Sequence, residues 1–322
     1  MGLLVALASY VILWVLATLV VAGLVLATLW KRSSKQLSAT KYHSGELFVI
    51  ARGSGNVWLL TWSFLQAVNG AWMVASYGSS GYSYGLVGIL FYVVTTAMEP
   101  LVCVVLSTTA YKQLQQTTSF SESVGARYGP ALEAVTVAVM LLVTTLCLAV
   151  EYMAMADIFA GVMGISRLIV FGFALLFSFY TTFIGGALVG MIMAQLNGII
   201  ALVAAAALLG LFLDSAKVYR PSSTRTLLFG ANTRATLLSF PGLMYFNITF
   251  GAFGEAFWQK RLWCRQPSML WPSAVYQGIL ATAIGLLWGF AGMVASWKDA
   301  AEGSTYSADK PYILYTDRYC LV

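Results

Sequence analysis

VWLLTWSFLQAVNGAWMVA, residues 57–75, is an apolar run with a helix-breaking pair, Asn69-Gly70, at mid-depth. A second run, TLLSFPGLMYFNITFGAFGEAFW at 236–258, carries Pro241-Gly242 in the same way. A backbone that unwinds inside a bilayer exposes amides and carbonyls, which is tolerated only where protein or a watery cavity surrounds them. Both pairs therefore predict discontinuous helices beside a cavity. The two runs lie five apolar segments apart, the spacing expected when each opens one five-helix half of an inverted-repeat secondary transporter.

Composition places these runs in a membrane. The 322 residues are 60% hydrophobic and 9% charged, against about 45–50% and 25% in soluble domains. The fold class read from this is all-α and polytopic. Eight runs are long enough to span the hydrocarbon: 3–30, 56–76, 84–110, 131–156, 167–185, 187–213, 236–258 and 273–296. The first has no basic n-region and is much longer than a signal h-region, so it is expected to stay as a helix. The organisation expected is an extra N-terminal helix at 1–30, a cytoplasmic loop at 31–55, a core at 56–296 and a polar tail at 297–322.

Loop charges orient the chain. Lys31, Arg32, Lys35, Lys41 and Arg52 crowd the first connection, whereas Tyr77 to Tyr84, read as the next connection, carries no charge. The excess of Lys and Arg on cytoplasmic loops predicts an N-terminus outside. The loop at 214–235, with Lys217, Arg220, Arg225 and Arg234, runs against this alternation. The net charge of +6 comes mostly from residues flanking helix ends. It is read as anchoring at membrane lipid rather than as a nucleic-acid surface.

Charges at membrane depth are costly and tend to be functional. Glu99, just before Pro100, is a candidate for gating or coupling, with a satisfied structural carboxyl as the other reading. Glu151 is read as snorkelling to the headgroups, and Glu133 as a charge favoured at a helix N-terminus. Glu255 is read either as a gate or as a plain cap. The single histidine, His43, falls in a basic loop, so neither a His-based triad nor a paired-His metal site is available, and no enzyme is expected. The four cysteines form no metal spacing. Among the aromatic residues after position 57, Trp72 beside the first break is the best candidate to line a pocket. Gly278, Gly285, Gly289 and Gly292 recur along the last run, where small residues let backbones approach.

Four segments in order resemble the sodium:solute symporter family. They are Gly81-Tyr82 with Tyr84 to Tyr92, Phe120 to Gly129, Tyr180-Thr181 with Gly185-Gly186, and Phe250-Gly251 with Ala256 to Lys260. The last is similar to a run in the urea active transporter branch. The sequence departs from the pattern at Gly254, Glu255, Leu188 and Ala194, where the family carries Asp, Gln, Lys and Asp. The resemblance implies a leucine-transporter-like inverted-repeat core after one extra helix. Of the ten core helices implied, seven are matched here, so the chain is expected to stop after the seventh.

The activity implied is uptake of a small polar solute, urea-like, across the plasma membrane, coupled to Na+ or H+ and needing no other cofactor. Backbone carbonyls near Ala67 and Asn69 would hold the ion, and Asn69, Trp72 and Asn247 would face the solute. The alternative is a diverged or truncated membrane protein, a sensor or accessory subunit, that keeps the fold without transporting.

Overall fold

A computed structural model describes residues 51–109, 117, 119–163, 166–219, 224–230 and 233–302. The expected first span, most of the basic loop with His43, and the tail beyond 302 lie outside the described residues. The regular elements among the described residues are all helices. The elements are α1 (Val57–Val68), α2 (Ala71–Thr109), α3 (Phe120–Tyr128), α4 (Pro130–Met163), α5 (Arg167–Tyr219), α6 (Thr224–Phe229), α7 (Thr233–Phe253), α8 (Glu255–Trp263) and α9 (Leu270–Glu302). Three stretches, Ala71–Thr108, Pro130–Ala160 and Pro267–Lys298, are long and apolar enough to cross a membrane.

Two of the long helices fold back on themselves at glycines. In α2, Gly85 takes φ 66 and ψ −158, and in α5, Gly186 takes φ 62 and ψ −166. Both lie in the left-handed region, which a glycine enters without a Cβ penalty. The turn expected at Gly185-Gly186 is thus present. The turn at Gly85 corrects the reading of 77–84 as a connection: these residues continue a helix from Ala71 to Tyr84, and the chain reverses only after them. The first span is therefore α1 plus the first half of α2 (71–84), interrupted at Asn69-Gly70.

The second break lies elsewhere than expected. Helix α7 runs through Pro241-Gly242 without interruption and stops at Phe253. Proline removes one intrahelical bond, a loss that membrane helices accommodate when neighbours compensate. The interruption is at Gly254, φ −73 and ψ 111. Its extended backbone suits any residue, but a Cβ there would sit 2.7 Å from the Phe250 carbonyl oxygen and 3.0 Å from the Phe257 ring. The indole N–H of Trp258 donates to the Ala252 carbonyl, 2.9 Å, satisfying one acceptor at the end of α7.

The two short halves, α1 and α8, lie side by side. Phe64 stacks on Phe257 at 6.4 Å between ring centroids. At their far ends the Gly53 N–H donates to the Leu262 carbonyl, 3.0 Å, and the Gly55 N–H to the Trp263 carbonyl, 2.8 Å. Two of the sequence segments singled out above meet here as well, for Phe120 of α3 stacks on Trp258 of α8 at 4.8 Å. Helix α3 is closed by a Ser119 side-chain cap on the Glu122 amide, 3.1 Å, and by Gly129 at φ 95.

Helix α9 packs along both halves of α2. Methyl groups added at Gly81 and Gly292 would run into the backbones of Gly289 and Gly78, and one at Gly285 would meet Val93 and Tyr77. This is the close approach expected from the glycine recurrence. Trp297 is buried and helix continues to Glu302, so the tail begins later than residue 297.

These contacts set an expectation for stability. Gly81→Ala should destabilise the protein by about 1–3 kcal/mol through overpacking. Gly172→Ala, where a Cβ meets nothing within 4 Å, should be neutral or gain about 0.5–1 kcal/mol as a helix substitution. Unfolding midpoints in mixed detergent micelles would check both.

Candidate functional site

The site is built around the first break. Helix α1 ends at Val68, and Asn69 takes φ −109 and ψ 93, off the helical path. In a continuous helix the Ala71 and Trp72 amides would donate to the Ala67 and Val68 carbonyls. Here both donate to the Glu151 carboxylate of α4, with Ala71 N to Glu151 Oε2 at 2.7 Å. The Ala67 and Val68 carbonyls are thereby released from their helical donors. The snorkelling expected of Glu151 is not what the structure shows, because its carboxylate turns inward onto the backbone.

Asn69 contributes a second set of open valences. Its Oδ1 and Nδ2 are buried and have no hydrogen-bond partner. A buried polar group without a partner costs free energy, so such a group at a break is poised to take a ligand.

One helical turn beyond the break, the first half of α2 borders a cavity of about 590 Å³. It is lined by Ala75, Ser76, Ser79, Ser80, Tyr84, Tyr92 and Leu243. Ser76 and Tyr92 are hydrogen-bonded through their side chains, and Ser80 Oγ is buried without a partner. Trp72 stands behind this lining, its ring centroid 6.3 Å from that of Tyr92. Tyr77 meets Tyr92 edge-on at 5.0 Å.

Asn247 of α7 and Glu99 of α2 lie at the contact between those two helices. Asn247 Nδ2 donates to Thr95 Oγ1 at 2.8 Å, and both residues are buried. One turn further along each helix, Gly251 packs directly on the Glu99 backbone. Glu99 is 2% exposed. Pro100 follows it inside α2 and leaves the Thr96 carbonyl without its helical donor.

The expected residues thus divide. Ala67 and Asn69 are at the break, Trp72 packs near Tyr92 of the cavity wall, Glu99 is buried where α2 meets Gly251 of α7, and Asn247 is tied to Thr95. Glu255 opens α8, and its side chain lies outside the described residues. Sequence reasoning missed Ser76, Ser79 and Ser80. The available signal was their i, i+3, i+4 spacing, which puts small polar groups on one helical face.

Comparison with solved structures agrees with this geometry. The chain superposes on a Na+-coupled sialic acid symporter, solved substrate-bound and outward-open, with a TM-score of 0.69 and 12% sequence identity. The fold is a secondary-transporter fold. The match covers 99% of this chain and 66% of the symporter, so the chain spans about two thirds of that protein's length. The sequence matches no protein-family model and no curated protein. At this identity the likeness establishes the leucine-transporter-like, all-α membrane architecture; the solute belongs to a separate argument.

The Asn247–Thr95 contact can be weighed directly. In a double-mutant cycle of Asn247→Leu and Thr95→Val, the coupling energy should be about 0.6 kcal/mol, with about 1.7 as the ceiling for such bonds in membranes. Additive effects would mean that the two side chains do not bond.

Proposed function

We propose that the chain forms the core of an ion-coupled transporter that carries a small polar solute by alternating access across the plasma membrane, with its N-terminus outside. The observation that carries this reading is the broken first span, where two released carbonyls and an unpartnered amide side chain lie one turn from a serine-lined cavity. Half-helix ends and unwound carbonyls are the means by which such proteins hold ions and solutes. The Ala67 carbonyl and Asn69 coordinate the coupling ion, Na+ or H+, and Asn69, Trp72 and Asn247 contribute to the solute site. Glu99 serves gating or coupling, and Glu255 sits at the joint of the second break.

The lining favours a neutral solute. Its polar members are serine and tyrosine hydroxyls, with no Lys, Arg, Asp or Glu among the described residues. Hydroxyls both donate and accept, which suits a compact amide such as urea better than a charged acid. The likeness of the 250–260 segment to the urea branch supports the same choice, and the Na+-coupled structural neighbour supports sodium as the ion.

Purified protein in proteoliposomes tests the reading. Labelled urea should bind and be taken up more in sodium than in choline, and Asn69→Ala should weaken binding about tenfold, the scale for orphaning a buried hydrogen bond. Sodium-dependent binding without uptake would favour the sensor or accessory role. Absence of both, across a panel of small neutral and charged solutes, would sink the proposal.

A further inference from the structure

We propose that Glu151 is the positioning residue of the break: its carboxylate takes the two amides that would otherwise heal the helix, and so keeps the Ala67 and Val68 carbonyls and the Asn69 side chain free for a ligand. The availability of those groups to a ligand rests on the transport reading. The capping itself does not.

Three observations converge on Glu151. First, the amides it holds, Ala71 and Trp72, are the helical donors for Ala67 and Val68, so its bonds and an unbroken helix exclude one another. Second, Asn69 is of a residue type that often caps helices locally, yet both polar atoms of its side chain are unpartnered. A carboxylate supplied from α4 does the capping instead, and an acidic group is favoured at that end by the helix dipole. Third, Gly70 is not among the glycines with positive φ, so its backbone does not require glycine. What it supplies is room, since a Cβ there would fall on the Glu151 carboxyl group.

The position of Glu151 explains why this contact matters. Helix α4 is largely exposed along its length, with Leu141, Leu142, Leu146 and Met153 turned outward. Its Glu151 reaches the discontinuity, so a side chain from a separate helix holds the backbone of the first span.

Amide NMR of the full chain in lipid nanodiscs tests the assignment, with 15N label in alanine and tryptophan and the Ala71 and Trp72 signals identified by substitution. A charge-assisted bond to carboxylate is shorter and stronger than one to a neutral carbonyl. Glu151→Leu should therefore move both amide protons upfield, whether they become free or rebond to Ala67 and Val68. Glu151→Gln, which keeps an acceptor, should restore part of the displacement, and Gly70→Ala should reproduce the Glu151→Leu spectrum by pushing the carboxylate away. Asn69→Ala should leave both signals near their original positions. Wild-type shifts in Gly70→Ala, or an Asn69→Ala spectrum displaced like that of Glu151→Leu, would overturn the proposal, and these two arms stand even where Glu151→Leu fails to fold. No solute enters the measurement, so a failed transport assay leaves it intact.

Discussion

A peptide group in hydrocarbon must find a partner within the protein, and this single constraint organises the molecule. An intact helix meets it locally. Each place where the helix is interrupted has to meet it from another element, so the breaks decide which helices stand together. At Gly70-Ala71 the partner is a carboxylate from α4. At Gly254 it is the Trp258 indole, which reaches back from α8 to the Ala252 carbonyl. The two solutions differ in charge because the two ends differ in polarity. Exposed N–H groups at the start of a half-helix attract an anion, and exposed carbonyls at the end of one attract a neutral or positive donor.

Packing around the breaks follows from the same economy of contacts. Apolar burial gives little drive for association in lipid, so affinity between helices comes from close backbone approach. The α2–α9 crossing achieves it by opposing Gly78 and Gly81 to Gly292 and Gly289. Gly78 and Gly81 belong to the same half of α2 that carries Ser76, Ser79 and Ser80 to the cavity. One face of that half-helix is therefore fixed against a neighbour while the next presents hydroxyls to open space.

Much of this was legible from residues alone, and the errors have identifiable causes. Asn69-Gly70 announced a break because neither residue favours a helix interior and the surrounding run is too apolar for a loop. Gly185-Gly186 announced a turn for a similar reason, and Gly186 takes it at φ 62. Pro241-Gly242 looked like the same signal, yet proline in a membrane helix sacrifices a single bond and need not unwind the chain. The interruption falls at Gly254 instead, where an added side chain would meet the Phe250 carbonyl and the Phe257 ring, a proximity that a linear sequence does not display. The stretch at 77–84 was misread because serine, glycine and tyrosine resemble a loop composition. Folded, the same residues divide by face: Ser80 lines the cavity, Gly81 touches α9 and Tyr77 is fully buried.

Glu151 shows why the chemistry of the site was harder to read than its location. A carboxylate in an apolar run has only a few stable fates, namely the headgroups, a cationic partner or a set of backbone donors. Distance along the helix favoured the first, and no nearby Lys or Arg in the sequence suggested the second. The third required knowing that two amides eighty residues away would lack acceptors. That lack was itself implied by Asn69-Gly70, because a broken helix always leaves unsatisfied N–H groups at the start of its next half. The break and the charge are thus two halves of one interaction: the unwound backbone supplies donors that make a carboxylate tolerable at depth, and the carboxylate supplies acceptors that make the unwinding tolerable in return.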